Sequence, residues 1–266
     1  MLATLLLPAA VLLAQPQDRP ADQPEARLAE RRSCSPEQWA QDLDQLAADL
    51  PAKHKNLFHR VKKEDWERRV ADLKARLPDL TEPATILEFA KLCAVADAHT
   101  QLLAQPYFRA RPGYPVAFTP VKEGLVLSTA PQANADLLGS LLVRIGDAPA
   151  EQAIDRLAAF YPWENRPSRT LFLAAWINRP DAFVAAGLAP STEHAEFTLR
   201  TPAGEERTVA IRSATPAELR NGTLKLAPLK VPPVGLAAVS ATANPRALWH
   251  QVLPGSTSLY VRYNHC

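Results

Sequence analysis

The sequence is poor in the residues on which small secreted frameworks and metal sites rely. Only three cysteines occur, Cys34, Cys93 and Cys266. An odd number at such wide spacing excludes a disulfide framework, and no C-x-x-C pair stands ready for zinc. Glycine counts 9 in 266 residues, and no glycine-rich loop is present to cradle a phosphate. Neither sign of charge dominates, since 30 Lys and Arg face 28 Asp and Glu and leave +2. That balance, with no stretch interleaving aromatic and basic residues, excludes a nucleic-acid surface. No segment is long and apolar enough to cross a bilayer. No cofactor and no metal are expected.

What is present is a globular composition, 47% apolar and 22% charged, at a length that accommodates two modest domains or one large one. Leu2, Leu5, Leu6, Leu7, Val11, Leu12 and Leu13 form an apolar run ending near Ala14. Its length is that of a signal-peptide core, although the basic stretch that normally precedes one is missing. Residues 1–15 are therefore expected to direct export to a periplasm or the outside; a cytoplasmic amphipathic start or a lipid-free anchor are the alternatives. Residues 16–35, with Pro16, Pro20 and Pro24, have no apolar period and read as a linker.

Periodicity then predicts a helical unit over 36–104. Ser35 can cap, Pro36 takes the first helical position, and Gln38 stands three residues beyond the cap. Trp39, Leu43, Leu46 and Leu50 follow on one face, and Pro51 is expected to stop that helix. Trp66, Val70, Leu73 and Leu77 repeat the spacing before Pro78. A third helix opens near Thr81 and carries Ile86, Phe89, Ala90 and Cys93 on one side, with Leu87, Leu92 and Val95 around it. It is expected to be the most buried of the three. Between the first two lies the densest basic run, Lys53 to Lys63 with His54, Lys55, His59, Arg60 and Lys62, read as a solvated connection, with a polyanion or lipid-surface site as the alternative.

From Tyr114 the period changes to two. Val116 and Phe118 alternate with polar neighbours, Lys122-Glu123-Gly124 turns the chain, and Leu125 to Ser128 returns. Leu141 to Ile145 is a short strand ended by Gly146-Asp147, and Pro149 opens a helix with Ile154 and Leu157. Helical pieces over 168–177 and 181–186 follow, the latter closed by Gly187. A hairpin runs from Glu196 to Arg212 around Pro202-Ala203-Gly204. Residues 214–266 are rich in proline and small residues until a last strand, Ser258 to Tyr263, for which the remaining sequence offers no partner. The end of the chain is thus expected to be the first strand of an incomplete domain.

This order of parts resembles the N-terminal half of the tail-specific (C-terminal-processing) serine peptidases. Ala96-Asp97-Ala98-His99-Thr100 is similar to the D-x-H-T that closes the family's helical cap. Leu141 to Pro149 is similar to the strand–turn–helix entry of a PDZ-like domain, and Tyr161-Pro162-Trp163-Glu164-Asn165 and Leu188 resemble a helical insertion. The hairpin resembles that domain's closing strands, and Ser258 to Asn264 the first strand of the peptidase domain. The resemblance implies an α+β fold: a helical cap over 36–104, a PDZ-like β-rich domain over 105–213 with a helical insertion, then the start of a truncated α/β peptidase domain over 214–266. It implies a truncated, inactive relative of an exported serine-type peptidase that retains a docking region for a polypeptide chain end or an unstructured protein segment. The family's serine and lysine lie beyond the matching portion, so no catalytic residue is carried over. A non-enzymatic periplasmic binding or scaffold protein is the alternative reading.

Residue by residue, the dull chemistry prevails. Gly255-Ser256-Thr257-Ser258 offers a hydroxyl among small residues but lacks the strand before and helix after of a nucleophile elbow, so a polar turn is expected. Asp97 and His99, with Cys93 four residues before, are expected to satisfy backbone groups where a helix stops; a metal ligand or catalytic group is the alternative, as in a metalloenzyme built on His99. Cys93 fits a buried helix face, pairing with Cys34 being the other possibility. His54 and His59 are five apart and do not share a helical face, and His194, His250 and His265 have no neighbours at ligand spacing. Asn221-Gly222-Thr223 matches a glycosylation acceptor. Trp39 and Trp66 are read as core.

Overall fold

The computed structural model describes residues 34–230, 248–253 and 255–263. The expected leader over 1–15, most of the expected linker over 16–35, His265 and Cys266 lie outside the described residues. Three helices come first, α1 (Pro36–Lys53), α2 (Lys63–Arg76) and α3 (Glu82–Ala94). The start of α1 is fixed by the reciprocal bonds its sequence predicts. The Ser35 backbone N–H donates to Gln38 Oε1 at 2.8 Å, while Ser35 Oγ accepts from the Gln38 N–H at 3.3 Å. Pro51 does not stop this helix, which runs on to Lys53. Proline costs most in a helix interior; here, in the last turn, the His54 N–H reaches the Leu50 carbonyl at 2.9 Å and closes the helix across it.

The apolar stripes meet as their spacing requires. Leu43, Leu57, Trp66, Leu73, Leu77, Phe89 and Leu92 form one buried cluster. Each fully buried leucine contributes about 1.5–3 kcal/mol of burial, which a lone amphipathic helix could not collect. Six residues of α3 are buried, and its Leu87 belongs to a second, larger cluster centred on the sheet. Helix α3 is thus a wall common to both cores.

After a short helix α4 (Gln105–Arg109) the chain enters the sheet. Strands β1 (Ala117–Val121) and β2 (Gly124–Pro131) form an antiparallel hairpin whose turn is the one read from Lys122-Glu123-Gly124. Then come β3 (Leu141–Ile145), the two-residue β4 (Ala148–Pro149), α5 (Ala150–Ala158), α6 (Arg166–Leu173) and α7 (Pro180–Ala185). Strands β5 (His194–Arg200) and β6 (Glu206–Arg212), helix α8 (Pro216–Arg220) and β7 (Leu226–Pro228) follow. The antiparallel order is β1-β2-β3-β5-β6, with β4 on β3 and β7 on β2. The sheet curls until its ends meet: Gly113 and Ala214 exchange two backbone bonds of 2.8 Å. Inside the curl, Phe118 stacks on Phe197 and Tyr114 packs against Phe183 of α7. The protein is α+β, with helices and an antiparallel sheet in one chain.

The last strand is not without a partner. Strand β9 (Leu259–Tyr263) pairs in full antiparallel register with β8 (Leu248–Val252). The sequence expectation missed β8 because it lies just beyond a proline-rich stretch and its alternation is broken by His250 and Gln251. On one face of this ribbon Leu248, Val252, Leu259, Val261 and Tyr263 are all exposed.

Between β3 and β4, Gly146 adopts φ +55°, and a Cβ there would stand 2.7 Å from the Leu188 carbonyl oxygen. A backbone atom cannot swing aside as a side chain can. Gly146→Ala is therefore expected to cost about 1–3 kcal/mol, read as a lowered urea midpoint. Gly204→Ala, in the β5–β6 turn with nothing within 4 Å of the added carbon, should cost less. Equal shifts would show that the Leu188 contact is not felt.

Candidate functional site

The D-x-H-T segment sits where α3 ends, and the reason for its conformation is local. A helix stop leaves backbone groups without intrahelical partners. The Ala96 N–H turns back to the Cys93 carbonyl at 3.1 Å, and the Asp97 carboxylate gathers the next donors. Its Oδ1 accepts from the backbone N–H groups of His99 at 2.7 Å and Thr100 at 2.5 Å. Its Oδ2 lies 2.8 Å from His54 Nε2. Burial alone would push this carboxyl up; the bonds from His99, His54 and Thr100 outweigh it and hold the group well below the usual carboxylate range.

His54 comes from the basic run, which is an ordered connection rather than a merely solvated one. The Asn56 N–H donates to His54 Nδ1 at 3.1 Å. That ring nitrogen must therefore be bare, which places the proton on Nε2, facing Asp97. His59 Nδ1 bonds the Asn56 carbonyl at 2.7 Å, so both backbone polar groups of Asn56 are held by histidines. The carboxylate ties the end of α3 to the end of α1 across 43 residues. Sequence reasoning placed Asp97 at a helix end but missed His54, because nothing in local spacing announces a contact at that separation.

His99 is different. Its backbone is bonded and its side chain is exposed, with no partner for the imidazole among the described residues. Cys93 faces inward, its thiol pushed up to about 11 by burial, which suits a small hydrophobe and not a thiolate ligand. Cys34 is free and exposed. No group of three or more His, Cys, Asp or Glu side chains gathers as a metal site would among the described residues.

The remaining candidates are dispersed. Ser256 lies in the turn between β8 and β9, where its Oγ accepts from the Ser258 N–H at 3.1 Å. Among the described residues no serine hydroxyl meets a histidine or lysine, the arrangement that activates a nucleophile. His194 and His250 are exposed on separate strands. Asn221 stands exposed after α8 and accepts from the Thr223 N–H at 3.0 Å. Trp66 is core, whereas Trp39 packs on Phe89 at 5.7 Å and lines a surface cavity of about 520 Å³. No described helix is long and apolar enough to cross a membrane.

No protein-family model and no curated protein matches the chain. Among solved structures, a serine-to-alanine mutant of CPAF aligns at TM-score 0.47 and 16% identity, over 70% of this chain and 38% of that one. Mature CPAF complexed with lactacystin aligns at 0.41 and 15%, over 79% and 38%, and mature CPAF at 0.40 and 15%, over the same shares. The chain spans 38% of the length of these neighbours. A likeness of this extent assigns neither family nor activity.

The Asp97 anchor has a pH signature. Its folded-state proton affinity is depressed, so the unfolded chain binds more protons in the acid range. The stabilisation is complete above the unfolded carboxylate value near ~4 and is lost as pH falls below it. Asp97→Asn should cost about 1.5–3 kcal/mol at pH 7, since an amide nitrogen would face the His54 Nε2–H. Urea titrations should show that difference shrinking at pH values below the carboxylate range. A difference that is constant from neutral to acid pH would remove the anchor.

Proposed function

We propose that the chain is a polypeptide-docking protein with the layout of the front part of a tail-specific serine peptidase, binding an unstructured segment without hydrolysing it. The order of its parts supports this reading: a helical cap closed by Asp97-Ala98-His99-Thr100, then a PDZ-like β unit over 105–213 with α6 and α7 inserted before its closing hairpin. The observation that carries it is the state of the sheet edges. Beyond the Gly113–Ala214 bridge no described strand pairs with the outer edge of β1 or of β6. Edges of this kind take an added strand from an extended polypeptide through backbone bonds. Hydrolysis is not assigned, because among the described residues no serine hydroxyl meets a histidine or lysine.

The test is to mix full-length protein with a labelled, permanently unfolded polypeptide and to record both fluorescence anisotropy and fragment formation. Saturable binding with no fragments is expected. Cleavage that disappears when a single serine of this chain is replaced would overturn the reading, as would an absence of binding.

A further inference from the structure

A groove separate from the sheet edges lies where α2, the end of α3 and the end of α5 come together. Its volume is about 450 Å³. Small and branched apolar residues, among them Val61, Val95, Ala158 and Ala159, line it. Tyr161 presents its ring, since its hydroxyl is spent on the Arg169 carbonyl at 2.7 Å. Trp163 stands at the rim, 37% exposed. The charges are one-sided. Arg60 and Arg69 line the groove with no ion-pair or hydrogen-bond partner for either guanidinium among the described residues. Lys91 is there too, but Glu88 takes its ammonium at 2.6 Å and the Phe160 ring lies beneath it at 5.0 Å. The one acidic residue in the lining, Asp65, is turned to Arg68 at 2.7 Å.

Two free guanidinium forks over an apolar, aromatic-edged floor call for a ligand with carboxylates and at least one apolar side chain. Nucleic acid needs many phosphate contacts along a basic track, and two arginines in a chain of net charge +2 do not make one. A lipid surface needs an exposed convex patch, which a groove is not. We propose that this groove holds an acidic, aromatic-containing segment of an extended polypeptide. The inference rests on the polypeptide-docking reading and assigns it a second contact, on the helical side of the molecule. It also gives the basic run after α1 a role at its far end, through Arg60.

The probe is a short unstructured peptide containing glutamate and phenylalanine, labelled with a fluorophore, with a counterpart carrying lysine in place of glutamate. Anisotropy titrations use the full chain. The acidic peptide should bind, more weakly as ionic strength rises, and the lysine counterpart should not. The double variant Arg60→Glu/Arg69→Glu should weaken binding by about tenfold or more, and Trp163→Ala by about fivefold. Arg220→Glu, an exposed change on α8, should leave it unaltered. Trp163→Ala keeps the charges and serves if the arginine reversals disturb folding. Equal affinity for the lysine peptide, affinity untouched by the groove variants, or retention of an oligonucleotide or anionic vesicle in preference to the peptide would each overturn the assignment. If the unfolded polypeptide still binds while the groove variants change nothing, the groove fails and docking at the sheet edges stands. Should no polypeptide bind at all, both fail.

Discussion

Helix α3 is committed to two cores at once, and the rest of the molecule is arranged around that constraint. Leu87 packs into the core of the curled sheet, while Phe89 and Leu92 pack with α1 and α2. A helix buried on opposite sides cannot shift without opening one cluster or the other, because cores at crystal-like density do not deform continuously. Lys91, seated over the Phe160 ring, extends the same join to the helices beyond β4. The groove bearing Arg60 and Arg69 exists because the end of this wall stands between the α2 helix and the α5 helix.

How much of this was legible follows from how local each signal is. The capping box at Ser35, the Trp66 stripe, the Lys122 to Gly124 turn and the Gly187 stop (φ +64°) are written within a few residues, and each appears where the sequence placed it. Pro51 misled because its rule concerns helix interiors and this proline sits in a last turn. Strand β8 escaped because a strand is recognised by alternation, which His250 and Gln251 blur. Gly113 and Ala214 join across the whole sheet, and no window short enough to show periodicity spans them. Arg169 was invisible for the same reason. It is nearly buried and bonds both Glu151 and Asp155, a contact made only once α6 folds back on α5.

Of the candidate site, the sequence disclosed the residues and their dull role, but not their partner. Where the chain turns beyond a helix C-terminus its N–H groups need an acceptor, and Asp97 supplies one to the residues two and three ahead. Reading those four residues alone gives a turn. The structure adds that the same carboxylate reaches back to the end of α1, so a local device becomes a tie between two helices.

The hydrogen-bond inventory then separates the two histidines around this carboxylate. An Asp–His pair suggests a proton relay, but a relay needs a ring nitrogen free to accept. His54 has none: Asn56 donates to Nδ1, and Nε2 faces Asp97. His54 is an anchor. His99 has its backbone fixed by that anchor and its imidazole unspent at the surface. A stiff turn presenting a free imidazole costs little further ordering when another surface bonds to it. In this pair the histidine that looks catalytic holds the fold, and the other keeps its imidazole at the surface.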